Sequence, residues 1–276
     1  MISSLLDAVD QQCTVLFIDD ASVDETLEII SAVSLHGKRI LRNDRNLGLF
    51  TTLNIALQEV NTEYVSLVFQ DNLIEREYFR QIQRLVEKNP KINFFWTGIT
   101  AINEFGRVIW HGLDTGREEL FLPGRQSWIA ALQRGCFWTI GASTSKTERL
   151  RHHGFRTDLP QCSDHEFLLR AIREDAFLYL ERPLVKLRDH EGNASFRYAR
   201  KSIDLKDLIL VYREQRSRFE ADFDPALLLS LRRHLAYYVM RRFVHQAIRG
   251  SLTQAIRTLA LLPGTTLTLP QADSAH

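Results

Sequence analysis

The sequence predicts an α/β fold, a mixed and mainly parallel sheet flanked by helices, with a helical C-terminal extension. Three observations predict it. Short apolar runs rich in Val, Ile, Leu and Phe alternate with amphipathic segments up to about residue 110, the pattern of strand–helix units whose strands are buried on both faces. Two of these runs end in polar residues, Asp19-Asp20 and Gln70-Asp71-Asn72, and open α/β sheets bind ligands outside the carboxyl ends of such strands. Residues 225–272 hold six arginines and no acid in a chain of net charge +1, so a basic helical end is joined to a more acidic body.

The elements follow in order. "TVLFIDD" (14–20) reads as a strand, 24–35 as a helix, "KRILRN" (38–43) as a strand and 49–60 as a helix. "YVSLVFQD" (64–71) is a third strand, and 76–88 a helix whose stripe is Phe79, Ile82, Leu85 and Val86, stopped by Pro90. Past residue 90 the rhythm becomes strand-like: "INFFWTGITAI" and "GRVIWHG" flank a Phe105-Gly106 turn and form a hairpin. A helix near 124–133, the stretch "GCFWTIGASTS" (135–145), a helix opening near Ser163, a strand at 177–190 and helices over 203–262 complete the chain. The simplest division is one domain over 1–200 and a helical extension over 201–276.

Composition excludes whole classes. With 276 residues, 45% hydrophobic and 25% charged, the chain buries a sizeable core and is neither disordered nor fibrous. No run of 18 or more apolar residues occurs, and the start "MISSLLDAVDQQ" lacks the basic and apolar regions of a signal peptide, so a cytoplasmic location is expected. Cys13, Cys136 and Cys162 are too widely spaced for a thiolate zinc site or a disulfide framework.

Three acidic stations stand at strand or helix ends. In "FIDDASVDET", Asp19 and Asp20 close the first strand, where carboxylates accept from a base or ribose or hold a metal; Ser22-x-x-Glu25 also reads as a capping box. Asp71, followed by Asn72, suits a hard divalent cation that keeps its waters and shares diphosphate oxygens, and equally suits a plain turn. In "QCSDHEFLLR", Ser163-x-x-Glu166 matches a second capping box, with Phe167, Leu168, Ala171 and Ile172 as the buried stripe. Asp164 then lies in the first helical turn, where the dipole holds a carboxylate ionised, as a general base requires. A phosphoacceptor receiver domain shares the first two stations. It needs about half this length, a proline after the acceptor Asp and a later strand-end Lys, none of which is evident.

Six motifs in order, "FIDDASVDET", "NDRNLGLFTTLNIAL", "YVSLVFQDN", "HHGFRTDL", "CSDHEFLLR" and "KLRDHEGNAS", resemble the family 2 nucleotide-sugar glycosyltransferases of GT-A fold over residues 3–200. The resemblance implies that Asp19 and Asp20 bind base and ribose, and that Asn46 and Gly48 form the loop beside the nucleotide. It gives Asp71 the contact with Mg²⁺ or Mn²⁺ and the diphosphate, His190 the late metal contact, and Asp164 the base role toward the acceptor hydroxyl. Trp138 and Gly141 fall in the family's acceptor-facing segment, although a Trp in such a run also reads as core. Phe69 stands where the family usually has its first metal-site Asp, and Ser163 where it has Glu. The family's opening apolar strand and its Pro-Thr-Tyr-Asn-like loop have no counterpart, since "ISSLLDAVDQQ" resembles the helix that follows them. A start inside a longer reading frame is the expectation, and without that strand its neighbours lose ladder partners.

The implied function is inverting transfer of a sugar from a nucleotide diphosphate to a saccharide or lipid-linked acceptor, in bacterial cell-surface polysaccharide or glycoconjugate synthesis. A non-catalytic nucleotide-sugar-binding module of the same fold is the alternative. The Arg-studded apolar helices of 225–262 suit an anionic membrane surface at its inner face, packing onto the domain, or a homodimer. Nucleic-acid binding is not expected, because the basic residues are spaced among apolar ones and no recognised module is present.

Overall fold

The computed structural model describes residues 1–10, 13–190, 192–248, 250–262 and 267. In chain order the elements are α1 (Ile2–Ala8), β1 (Leu16–Asp19), α2 (Thr26–Ala32), β2 (Arg39–Arg42), α3 (Leu49–Glu59), β3 (Tyr64–Leu67), β4 (Leu73–Ile74) and α4 (Tyr78–Lys88). Next come β5 (Phe94–Ile102), β6 (Val108–His111), β7 (Glu118–Phe121), α5 (Arg125–Arg134), β8 (Ser143–Lys146), α6 (Thr147–His153), α7 (Ser163–Ala171) and β9 (Phe177–Arg188). Four helices close the chain: α8 (Ala194–Arg200), α9 (Ile203–Arg218), α10 (Pro225–Ile248) and α11 (Leu252–Leu259).

The chain divides into two compact units. The first is Met1–Trp128, Cys136–Asp158 and Ser163–His190; the second is Ile129–Gly135, Leu159–Cys162 and Glu191–His276. In the first, β1 and β2 pair in parallel, with Asp19 opposite Arg42. A separate seven-stranded mixed sheet has the order β3-β8-β5-β9-β4, with β6 added to β5 and β7 to β9. Among the described residues its parallel pair is β5–β9, because β8 enters between β3 and β5 running antiparallel to both. Among the described residues β1 pairs with β2 alone and β3 with β8 alone, so each leaves one edge without a described strand partner.

Helices bury the two faces of this sheet. One core cluster joins Leu5 of α1, Phe17 of β1, Ile30 of α2, Tyr78 and Ile82 of α4, and Leu178 of β9. Another is aromatic: Phe94 stacks on Phe177 with ring centroids 4.4 Å apart, and Trp138 stacks on Phe167 at 4.9 Å. Trp138 is 1% exposed, so it is a core residue. In the second unit the Tyr212 hydroxyl donates to the Leu132 carbonyl at 2.8 Å, and Asp207 accepts from the Gln161 amide at 3.0 Å.

Several expectations change. The third strand ends at Leu67 instead of running to Asp71, because the Asn72 amide turns back to the Phe69 carbonyl at 3.0 Å and Leu73–Ile74 then pairs with β9. Neither capping box forms. Thr26 at the head of α2 is bonded by Asp24 at 3.0 Å, while the Ser22 amide turns inward to Asp19 at 3.1 Å. At the head of α7 the Ser163 hydroxyl is buried without a partner, and Glu166 is drawn down the helix into an ion pair with Arg170 at 2.9 Å. The motif fits a cap in sequence, but Asp24 takes the head of α2 and Glu166 pairs with Arg170 of its own helix.

Candidate functional site

The site is built at the carboxyl ends of β1, β2, β3 and β9. Asp19, fully buried, accepts from the Ser22 amide through Oδ1. Arg42 on the neighbouring strand places Nε 3.2 Å from Oδ2, but off the hydrogen-bond direction, so that buried oxygen has no hydrogen-bond donor. Asp19 Oδ2 is thus shielded from solvent and faces the Arg42 guanidinium. Beside it Ala21 holds φ of 59°, a left-handed conformation costing a non-glycine residue about 1–2 kcal/mol; such strain collects at ligand sites.

Asp20 does something else. Its Oδ1 accepts from the Leu47 amide and from Asn43 Nδ2, both at 2.8 Å, and its Oδ2 from the Gly48 amide at 2.8 Å. Desolvation raises its pKa, and these bonds outweigh that and hold the carboxyl below the usual range. Asn46 Nδ2 donates to the Asp20 carbonyl at 3.3 Å. Asp20 therefore lashes the 43–48 loop to the end of β1, with both carboxylate oxygens spent inside the protein. Gly48 sits at φ 81° with open space around a notional Cβ, so backbone conformation, not crowding, requires glycine there.

Asp71 and His190, far apart in sequence, are brought together. Asp71 Oδ2 lies 3.6 Å from His190 Nε2, and both side chains are partly open to solvent. The topology does this: β9 runs beside β4, whose entry turn carries Asp71, and β9 ends two residues before His190. One carboxylate oxygen and one imidazole nitrogen on an accessible rim fit Mg²⁺ or Mn²⁺ that completes its shell with water and diphosphate oxygens. The turn itself is closed by Gly141. A Cβ there would stand 2.7 Å from Asn72 Nδ2 and 3.0 Å from the Phe69 ring, and Asn72 is buried against the Gly141 carbonyl. The ring of Phe69 thus packs on this glycine.

Asp164 lies in the first turn of α7. Its Oδ1 accepts from the His165 amide at 2.8 Å. Desolvation raises its pKa to about 6, against the opposing pull of the His165 amide, its own amide and the Cys136 thiol. The sequence reading expected the helix dipole to hold this group ionised; burial overrides the dipole and sets it near neutrality, the range suited to a general base.

One residue given no role in the sequence also matters: Asn43 bridges Asp20 and Thr52 at 2.8 and 2.9 Å, while Asn72 holds the Asp71 turn. The one sequence signal was position, since both stand one or a few residues past a strand end. A second cluster lies at the opposite, amino-terminal end of β5 and β9. There Asp175, buried at 3% exposure, accepts from His153 at 2.6 Å, Arg149 at 2.7 Å and Asn93 at 2.6 Å. His152, His153 and Glu174 there could also gather around a cation, but they belong to the other end of the strands from Asp71.

The fold is a mixed α/β domain that carries acidic side chains past its strand ends. The sequence model of glycosyl transferase family 2 matches residues 1–142, half of the chain, and the chain belongs to that family. Two uncharacterized glycosyltransferases of Haemophilus influenzae are similar. One is 30% identical over 105 residues, 37% of this chain and 32% of its own. The other is 21% identical over 187 residues, 64% and 59%. The chain therefore spans about a third and about six-tenths of these curated relatives. Among solved structures, S. aureus TarS 1-349 superposes with a TM-score of 0.63 at 15% identity, over 97% of this chain and 83% of that one. Its complex with UDP-GlcNAc gives 0.57 at 14%, over 95% and 86%. GalNAc-T7 with UDP, GalNAc and Mn²⁺ gives 0.56 at 16%, over 76% and 44%. These structures establish the fold.

Proposed function

We propose that this chain is an inverting glycosyltransferase that moves a sugar from a nucleotide diphosphate to an acceptor hydroxyl. The observation that carries the reading is the meeting of Asp71 and His190 at 3.6 Å past the carboxyl end of β9. In this reading residues 1–200 form the transferase domain and 201–276 a helical extension. Asp19 and the loop held by Asp20, with Asn46 and Gly48, receive the nucleoside. TarS bound to UDP-GlcNAc and GalNAc-T7 bound to UDP support a uridine donor as the first to test.

Asp71 and His190 would hold Mg²⁺ or Mn²⁺, which when bound neutralises charge building on the leaving diphosphate. Asp164, ionised above pH about 6, takes the acceptor proton as that oxygen attacks the anomeric carbon opposite the leaving group. Such a base contributes about 10²–10⁴-fold. The acceptor is a saccharide or lipid-linked glycan, and the setting bacterial surface-polysaccharide or glycoconjugate synthesis on the cytoplasmic side. The alternative, a binding module without turnover, is favoured by one feature, the Phe69 ring in place of a second metal-site acid.

Calorimetric titration of UDP and GDP, with and without Mn²⁺, into the chain and into Asp71→Ala tests the proposal. Metal-dependent binding lost in Asp71→Ala is expected, followed by turnover in a donor-sugar screen. Binding without turnover for any donor and acceptor would favour the module, and metal-independent binding would remove the role given to Asp71 and His190.

A further inference from the structure

We propose that the outward face of α10 docks on an anionic lipid bilayer. This helix is apolar on two sides. Leu227, Leu231, Leu235 and Val239 are buried. At about 100° per residue, Leu229, Tyr237, Met240, Val244 and Ile248 fall on the opposite side, exposed by 47, 62, 40, 47 and 81%. A helix apolar all round is normally enclosed, and a continuous exposed apolar stripe marks a contact surface. On α11, Leu252 and Ile256 are also exposed, by 63% and 58%.

Charge selects the occupant. Arg233 and Arg241 are exposed within the stripe, whereas Arg242 is turned away into an ion pair with Asp204 at 2.7 Å. No acid occurs between Asp224 and Asp273, so the stripe carries cations alone. A second copy would set the same arginines against each other across a two-fold axis, while anionic headgroups complement them and lipid tails take the Leu, Val and Ile side chains. Tyr237, apolar with a polar tip, suits the headgroup level. No described helix is long and apolar enough to cross a membrane, so α10 lies along the surface. This attachment does not depend on the transferase chemistry.

The test is co-sedimentation of the full chain with phosphatidylcholine vesicles and with vesicles containing about one-third phosphatidylglycerol. Binding to the anionic vesicles that falls with added salt is expected. Arg233→Gln with Arg241→Gln should weaken it about twenty-five-fold, at about fivefold per basic residue. Tyr237→Ser with Val244→Ser should weaken it as well, with the melting temperature unchanged because these side chains face water. Equal binding to both vesicle types, or full binding by either double variant, overturns the proposal. So does a dimer in light scattering that the Tyr237→Ser, Val244→Ser chain no longer forms, which would assign the stripe to a second copy.

Discussion

Replacing Asp164 with Asn should make the protein more stable and less active, and the stability gain should depend on pH. Burial raises the folded-state pKa of Asp164 from 3.8 to about 6. For a carboxyl raised in this way the folded state prefers the proton, so stability falls as pH rises from about 4 to about 6 and stays reduced above. At 1.36 kcal/mol per pH unit the full difference is about 3 kcal/mol; solvent still reaches part of the side chain, which brings the expected gain to about 1–2 kcal/mol. Asn has nearly the same shape, and its Oδ1 can still accept from the His165 amide, so no hydrogen bond need be lost. Urea unfolding of both proteins at pH 4, 6 and 8 reads the effect. The midpoints should coincide at pH 4 and separate in favour of the variant at pH 8, with turnover reduced about 10²–10⁴-fold. Wild-type turnover should itself rise through pH about 6 as Asp164 ionises. A pH-independent stability difference, or a wild type more stable at pH 8, would refute the burial argument; near wild-type turnover in the variant would refute the base assignment.

Three further outcomes are expected. Asp175→Ala should cost about 3–5 kcal/mol in thermal or urea unfolding, since it strands Arg149 and the buried His153; a loss below about 1 kcal/mol would show that the cluster relaxes freely. Desolvation raises the Asp175 carboxyl while bonds from His153, Arg149 and Asn93 pull it down further, to about 2, so its contribution is present above the unfolded value of 3.8 and fades as pH falls toward 2. Gly141→Ala should force the 69–72 turn open, costing about 1–3 kcal/mol and weakening metal-dependent nucleotide binding in calorimetry more than Gly48→Ala does. Gly48→Ala should cost about 1–3 kcal/mol from its backbone alone, since φ 81° with ψ 162° is a region that glycine alone visits freely; chemical denaturation reads it.

The alternation of strand and helix, the hairpin at Phe105-Gly106 and the acids at strand ends were legible in the sequence, because periodicity and turn chemistry act over a few residues. Asp19, Asp20, Asp71 and Asp164 could be named as candidates for the same reason, while Asn46, Gly48 and His190 came from the resemblance of the motif order to the family. What each side chain faces was not legible. Asp20 bonds a loop more than twenty residues on; Asp71 finds His190 only because β9 lies beside β4; Asp164 is raised toward neutrality by what covers it, against the local helix dipole. The two capping boxes failed locally, since Asp24 takes the head of α2 and Glu166 pairs with Arg170 one turn along its own helix. β7 and β8 are short, carry charged or hydroxyl side chains, and hold as strands through β9, β5 and β3. On α10, one sequence pattern supplied both the buried and the outward stripe, and only packing decided which leucines reached the core. Local pattern is written residue by residue, whereas burial, pKa and pairing depend on neighbours that chain folding alone supplies.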